Sequence, residues 1–512
     1  MHGALESRWG RWPLSLLAGA LPALSFPTPS LWWLAWFGLV PWMLLARTAP
    51  TARAAATTGW LGGSAFMLAV HHWLLPSLHV FILFLAALLG LLWAPWGWLV
   101  RRVLSGPQRG ARTAAALVLL PSGWLMVELV RSWEYLGGPW GLLGASQYEV
   151  QPALRLASLG GVWLVSFALV AANTALGVLL VSCAPGTRRL PALAAVAAVA
   201  VPIGGAWLWS PTPQRSGHDV RVAVVQPGMT KTAGDRLYRA IALTERLADS
   251  RTDLVVWGES SVGFDLAHRP DLSRKISGLA ARIGTPILVN VDSARADGGG
   301  GIYKSSVLVD GDGLTGQRYD KTRLVPFGEY IPARSVLGWA TSVGKAAAED
   351  RQRGSGPVMM HAGGVRIGPL ICFETAFPDM SRQLAGDGAE MLVAQSATSS
   401  FQESWAPEQH ASLAALRAAE TWRPVVHATL TGVSAVYGPD GGQQGERLGT
   451  DRSGVAEYTA PTAGGTSPYV RFGDWVVHAS TTVLLAFCAL EWARDVRARQ
   501  AEEFNVPVPV RR

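Results

Sequence analysis

Gly368-Pro369-Leu370-Ile371-Cys372-Phe373-Glu374 is a short apolar run that ends in a thiol and then a carboxylate. An apolar run of this length reads as a buried strand, and the cysteine stands where that strand stops. The chain has 3 cysteines in all. Cys183 and Cys488 fall in long apolar segments, so Cys372 is the only thiol in the more polar half. Alone, a small thiol at a strand end is ordinary core filler.

Outward from that run, the chain divides in two. Of its 512 residues, 49% are hydrophobic and only 16% charged, too apolar for an ordinary water-soluble enzyme throughout. Acids are scarce between 12 and 210, whereas residues 218–466 have the texture of a soluble domain. A formal charge of +8 could suit nucleic acid or anionic lipid. Many of the arginines sit in short loops between apolar segments, where they report membrane topology, and no nucleic-acid partner is expected.

Crossing a bilayer takes roughly 20 apolar residues. About seven such segments precede residue 212, near 12–28, 31–46, 58–75, 77–99, 113–132, 158–182 and 190–209. Trp32, Trp33, Trp36 and Trp42, and then Trp93, Trp96 and Trp98, read as interfacial anchors. Arg8, Arg11, Arg47, Arg53, Arg101, Arg102, Arg109, Arg112, Arg188 and Arg189 mark alternate loops. The positive-inside rule then puts the N-terminus in the cytoplasm and the domain after residue 211 outside it. A last run, Trp475 to Trp492, returns the chain inward to a basic tail. The domain reading is thus a multi-span helical base over 1–211, a catalytic domain over 212–468, and a final helix with its tail over 469–512. Glu128 and Arg131 share a helix face in the fifth segment, either as a structural ion pair or as a functional one. His71 and His72 suit a polar cavity or a packed pair. Gly137-Gly138-Pro139-Trp140-Gly141 reads as a turn-rich loop.

After the Ser210-Pro211-Thr212-Pro213 linker, β-branched runs alternate with helical stretches, the pattern of a layered α/β domain. Strands are expected at Val220–Val225, Leu254–Trp257, Ile287–Val291, Ser306–Val309, Val365–Ile371 and Met391–Ala394. Helices are expected over Asp235–Ser250 and Ser273–Ile283. Asp310-Gly311-Asp312-Gly313 reads as a hairpin turn.

Three residues in matching contexts carry chemistry. Glu259 ends Leu254-Val255-Val256-Trp257-Gly258-Glu259, Lys321 sits in Tyr319-Asp320-Lys321-Thr322-Arg323, and Cys372 ends the opening run. A thiol becomes a nucleophile when a base takes its proton, and a carboxylate can be that base. A lysine can stabilise the oxyanion that forms next. Each residue alone is ordinary; their coincidence is not.

In this order, with Gly-Glu-Ser, Tyr-Asp-Lys and Ile-Cys-Phe-Glu contexts, the three resemble the carbon–nitrogen hydrolase (nitrilase) superfamily. Tyr319 to Pro332, the Glu128–Gly141 region and the many spans resemble its membrane-bound apolipoprotein N-acyltransferase family of bacteria. The resemblance implies a membrane helical bundle plus an α/β domain, an αββα sandwich facing outside the cytoplasm of a bacterial inner membrane. It implies a phospholipid acyl donor, a diacylglyceryl-lipoprotein acceptor, a thioester on Cys372, Glu259 as base and Lys321 at the oxyanion. It further implies that Glu329, Glu374 and Phe373 support the site, and that no metal or organic cofactor is needed. The chain departs from the family pattern at Phe373, where tyrosine is common, at Lys304, where asparagine is frequent, and over Ala397–Ser400. His410 is a candidate for ligand contact or for a structural role at a helix start. Ser335–Ala340 reads as a lid with Trp339 as anchor, or as core packing. Two other readings remain at this stage: a membrane-tethered amidase using water, and an inactive scaffold.

Overall fold

Short β-branched and apolar runs separated by turn residues build the polar half of the chain. The computed structural model describes residues 7–107, 110–182, 190–294, 301–338 and 349–504. Among these, twelve strands form two six-stranded sheets. The strands are β1 (Gln214–Gln226), β2 (Leu254–Trp257), β3 (Ile287–Ala294), β4 (Ile302–Asp310), β5 (Gly313–Asp320), β6 (Met360–Ala362), β7 (Val365–Ile371), β8 (Met391–Ser396), β9 (Val425–Thr429), β10 (Ser434–Tyr437), β11 (Gln443–Leu448) and β12 (Gly454–Gly464). One sheet runs β12-β1-β2-β3-β4-β5 and the other β11-β10-β9-β8-β7-β6. In each, three central strands are parallel and the flanking pairs antiparallel. All six expected strands lie in this set, and Asp310 pairs with Gly313 at the expected hairpin.

Strand alternation sorts the layers. Val222, Val224, Leu254, Val256 and Leu288 join Ile367, Ile371, Met391 and Val393 in the core between the sheets. Their neighbours Ala223, Val225, Val255 and Ile287 face outward onto helices Ala233–Thr244 and Pro270–Ile283. On the second sheet Leu370, Leu392, Ala394 and Val425 face outward onto helices Pro378–Gly386 and Ala406–Thr421. The result is an αββα sandwich. Gln395 of β8 pins the sheets together, donating to the Trp257 carbonyl at 2.8 Å and accepting from the Ser306 hydroxyl at 2.5 Å.

The sandwich stands on a helical base. Five helical stretches among the described residues are long and apolar enough to cross a membrane: Phe81–Leu104, Gly110–Arg131, Gln151–Ser182, Leu190–Trp209 and Trp475–Gln500. The segments expected at 12–28 and 31–46 are instead broken into Arg8–Ala20, Leu21–Ser25, Trp32–Trp36 and Val40–Arg47. Pro22, Pro27, Pro29 and Pro41 remove donors and punctuate that stretch. Of the segment expected at 58–75, residues 58–70 fall in helix Ala52–Val70; past His71 the rest lies in the turn His72–Leu74 and the start of the short helix Leu75–Leu78.

The anchor reading of the tryptophans needs correction. Trp42, Trp93 and Trp96 are fully buried and cluster around Trp124, while Trp32, Trp33 and Trp98 are exposed. Ring centroids in the cluster lie 5.1 Å (Trp42–Trp96) to 5.9 Å (Trp42–Trp124) apart. Three of these four indoles have their N–H satisfied inside, whereas Trp93 Nε1 is buried without a hydrogen-bond partner. Trp42 donates to Thr58 O at 3.0 Å, Trp96 to Leu120 O at 3.1 Å, and Trp124 to Glu128 Oε1 at 2.9 Å.

Helix Ala406–Thr421 joins base and sandwich, and every residue of it except Glu408 is buried. Gln409 accepts from the indoles of Trp73 (3.2 Å) and Trp140 (2.7 Å) in the base. At the far end, Glu420 pairs with Arg417 and accepts from Val162 N at 2.7 Å. That N–H is free because helix Gln151–Ser182 breaks at Gly160-Gly161. Gly161 has φ +69°, and a Cβ there would lie 2.6 Å from the Tyr469 ring, so only glycine fits.

Candidate active site

Cys372, Glu259 and Lys321 follow β7, β2 and β5, and all three leave their sheets at the same end. Side chains at the carboxyl ends of parallel strands are the usual place for chemistry in open α/β sheets. The structure brings all three expected residues together, with Glu329 as a fourth. Lys321 Nζ lies 2.9 Å from Glu329 Oε1 and 3.3 Å from Glu259 Oε1. Glu329 is held in turn, accepting from Val325 N at 2.8 Å. Burial by itself would pull the lysine pKa down, but Glu259 and Glu329 outweigh it and hold the ammonium above its ordinary range.

Cys372 sits on a sharp strand-to-helix turn with φ +53°. A residue with a side chain reaches that region at a cost, which the surrounding structure must hold in place. Strained elbows of this kind project nucleophiles above the sheet. Burial pushes the thiol up, Glu259 adds to it and Lys321 opposes it, so the resting group is protonated. A base at hand is therefore a requirement.

Glu374 is placed differently from what its neighbourhood suggests. It is fully buried, and its oxygens are bonded by groups other than Lys321. Its Oε1 accepts from Tyr319 Oη (2.8 Å), Thr322 N (2.7 Å), Thr322 Oγ1 (2.9 Å) and Arg323 N (3.0 Å), while Oε2 accepts from Ile371 N at 2.8 Å. It stitches the Lys321 loop to the strand that carries Cys372. Burial raises its pKa against those hydrogen bonds.

Phe373 is buried and packs edge-on to Phe377, 4.9 Å between centroids. Against this pair lies Gly138 of the base, where an added Cβ would come within 2.6 Å of Phe373. The loop 137–141 is thus a wall of the site supplied by the membrane half. Glu128 and Arg131 shape its two ends and form no ion pair with each other: Glu128 accepts from Leu143 N at 2.7 Å, and Arg131 donates to the Trp140 carbonyl. Each gives one polar atom to the loop; Glu128 Oε1 also accepts from Trp124 Nε1 at 2.9 Å, while Glu128 Oε2 and Arg131 Nε and Nη2 are buried without a hydrogen-bond partner.

Sequence reasoning gave His410 no definite task. Its Nε2 lies 3.0 Å from the Cys372 carbonyl. Burial lowers it to about 4, so it is neutral and donates that bond to the strained elbow. His71 and His72 bond to Met67 O and Ala69 O, with His72 edge-on to Trp405 at 4.5 Å. Of the expected lid, Arg334–Leu337 is a helical turn; Trp339 and Ala340 lie outside the described residues. Lys304 is buried beside Asp292 and Ser260.

A sandwich with a glutamate, a lysine and a cysteine converging at its strand ends is a carbon–nitrogen hydrolase domain, and residues 221–459 match the family described as Carbon-nitrogen hydrolase. Residues 18–175 match the Apolipoprotein N-acyltransferase N-terminal domain. The chain is 30% identical to an apolipoprotein N-acyltransferase of Geobacter metallireducens, covering 92% of this chain and 94% of that protein. It is 32% identical to one of Azotobacter vinelandii, over 94% of this chain and 95% of the other. The chain belongs to the apolipoprotein N-acyltransferase family. A solved amidase of Nesterenkonia sp. is 18% identical, with a TM-score of 0.37, and is matched over 53% of this chain and 99% of its own.

Proposed function

We propose that this protein transfers an acyl chain from a phospholipid to the N-terminal α-amine of a diacylglyceryl-cysteine lipoprotein, in two half-reactions through Cys372. The observation that carries this reading is the meeting of Glu259, Lys321 and Cys372 in a sandwich whose nucleophile turn packs on the membrane base. In the first half-reaction Glu259 takes the thiol proton and Sγ attacks the ester carbonyl of the phospholipid. The Lys321 ammonium faces the developing oxyanion. The carbonyl–oxygen bond then breaks, the proton passes from Glu259 to the departing alcohol, and a lysophospholipid leaves a thioester behind. In the second, the amine attacks the thioester and gives a proton to Glu259, the carbon–sulfur bond breaks, and the departing Cys372 thiolate takes that proton back from Glu259.

Glu329 keeps Lys321 charged and in place, and Glu374, Phe373 and His410 hold the loops around the thiol. The chain crosses the inner membrane of a bacterium several times with the sandwich outside the cytoplasm, a placement supported by the arginine pattern and the five apolar helices. Intact mass spectrometry after incubation with phospholipid tests the scheme. An acyl adduct on Cys372, discharged by a diacylglyceryl-cysteine peptide and slowly by water, is expected. Rapid discharge by water selects an amidase, and absence of any adduct on the wild-type protein overturns the scheme.

A further inference from the structure

Lys304 is a buried cation for which this acyl-transfer scheme has no task. It stands on β4 directly across from Asp292 on β3. It is 8% exposed, and its ammonium donates both to the Asp292 carboxylate and to the Ser260 hydroxyl. The even-numbered residues of both strands face the second sheet: Leu288 and Leu308 join the core there. Lys304 and Asp292 continue that face up to the rim where the site opens.

Ser260 is the residue after Glu259 and has φ +54°, a conformation that a residue with a side chain adopts only when held. It is held at every polar atom. Its N–H donates to Asn290 Oδ1 at 2.9 Å, its carbonyl accepts from Arg236 Nη1 at 2.8 Å, and its hydroxyl accepts from Lys304. Glu259 N in turn donates to Ser396 O at 3.1 Å. On the other side, the Lys304 carbonyl accepts the Lys321 N–H at 2.8 Å. One residue therefore grips the turn that carries the carboxylate with its side chain, and the loop that carries the second lysine with its main chain.

We propose that Lys304 is a positioning residue for acyl transfer: held by Asp292, its side chain fixes the turn that carries Glu259 and its main chain fixes the loop that carries Lys321, so that both meet Cys372. The proposal rests on the reading of Glu259 as the base. The charged and titratable groups around that carboxylate are Lys321 in contact, Glu329 behind Lys321, the Cys372 thiol, the Lys304–Asp292 pair beneath Ser260, and Arg236 at the Ser260 carbonyl.

Lys304→Met removes the grip on the Ser260 hydroxyl and leaves the turn that carries Glu259 free to shift from the Lys321 loop. Asp292→Asn keeps the ammonium but weakens the hold on it, so its effect should be in the same direction and smaller.

The test uses the full-length protein in detergent with phospholipid, reading the rate of thioester formation on Cys372 by intact mass from acid to neutral pH. A parallel experiment follows iodoacetamide alkylation of the Cys372 peptide over the same range, which needs no acyl transfer. Lys304→Met should slow thioester formation roughly 10–100-fold with the donor KM unchanged, as expected for a misplaced reacting group. A wild-type rate of thioester formation in Lys304→Met overturns the proposal. If Lys304→Met does not accumulate, Ser260→Ala removes only the hydroxyl contact: slower acylation at unchanged KM supports positioning, and an unchanged rate refutes it. A wild-type protein that never forms a thioester, while Lys304→Met still slows alkylation of Cys372, defeats the acyl-transfer reading and leaves the positioning role standing.

Discussion

The two helical faces of the sandwich solve opposite problems. Helices Ala233–Thr244 and Pro270–Ile283 cover the first sheet and present charge to water, burying only one stripe each: Leu237, Ala240 and Leu243 in one, Leu272, Ile276, Leu279 and Ile283 in the other. Helix Ala406–Thr421 covers the second sheet and is itself covered by the membrane base, so it has no free side except at Glu408. On the first face charges pair in solvent, as Arg282 does with Glu245. On the second they pair in the interior, as Arg417 does with Glu420. The same ion-pair chemistry therefore has different consequences on the two faces, since exposed pairs contribute little and a buried charge without its partner is costly.

The sharpest way to break this comparison is to remove one partner inside. Glu420→Ala strands the buried Arg417 and should destabilise the protein by about 3–5 kcal/mol, read as a fall in Tm in detergent. A small change would show that water reaches this helix.

Titration should separate the faces next. Burial raises Glu420 to about 7, with Arg417 opposing. A carboxyl whose folded pKa lies above its unfolded value lends stability fully at low pH and loses it as pH climbs from about 4.5 to 7, here on the order of 2–3 kcal/mol. Asp271 on the water-facing side runs the other way: its hydrogen bond from Arg269 lowers it to about 2, so its contribution is present above the ordinary value of 3.8 and disappears as pH falls toward 2. Melting followed from pH 4 to 8 should show the first trend in the wild type and lose it in Glu420→Gln.

Gly161→Ala probes the junction without touching charge. It forces a side chain into a glycine-only backbone region and against Tyr469, and should cost about 1–3 kcal/mol. The smallest effect belongs to the outer face: Arg282→Ala should change stability by about 0–1 kcal/mol, and less at high salt.

How much of this was legible in the sequence follows the same divide. Where a face meets water, alternation writes it out, and the strands around Val222, Val256 and Leu288 and helix Pro270–Ile283 fall where periodicity put them. Glu259, Lys321 and Cys372 were legible because each ends or borders an apolar run. The tasks of Glu374 and His410 were not, because they depend on bonds to backbone atoms far away in the chain, Thr322 N and Cys372 O. The buried tryptophans misled for a related reason: an indole at an interface and an indole donating to Thr58 O are identical as letters. Glu128 and Arg131 share a helix face by their spacing, yet each also gives one polar atom to loop 137–143, which the spacing does not announce.

The doubly covered helix Ala406–Thr421 also bears on modularity. A catalytic domain that meets its support through exposed polar loops can be exchanged between proteins by recombination. This one shares a layer with its support, so each substitution on the outer side of that helix is tested at once against Trp73, Trp140 and Val162. A soluble relative set on the same base would bring a helix with one face made for water, and the seam would not close. The two halves are bound to vary as a single unit, with complementary changes on either side of that helix as the trace it leaves.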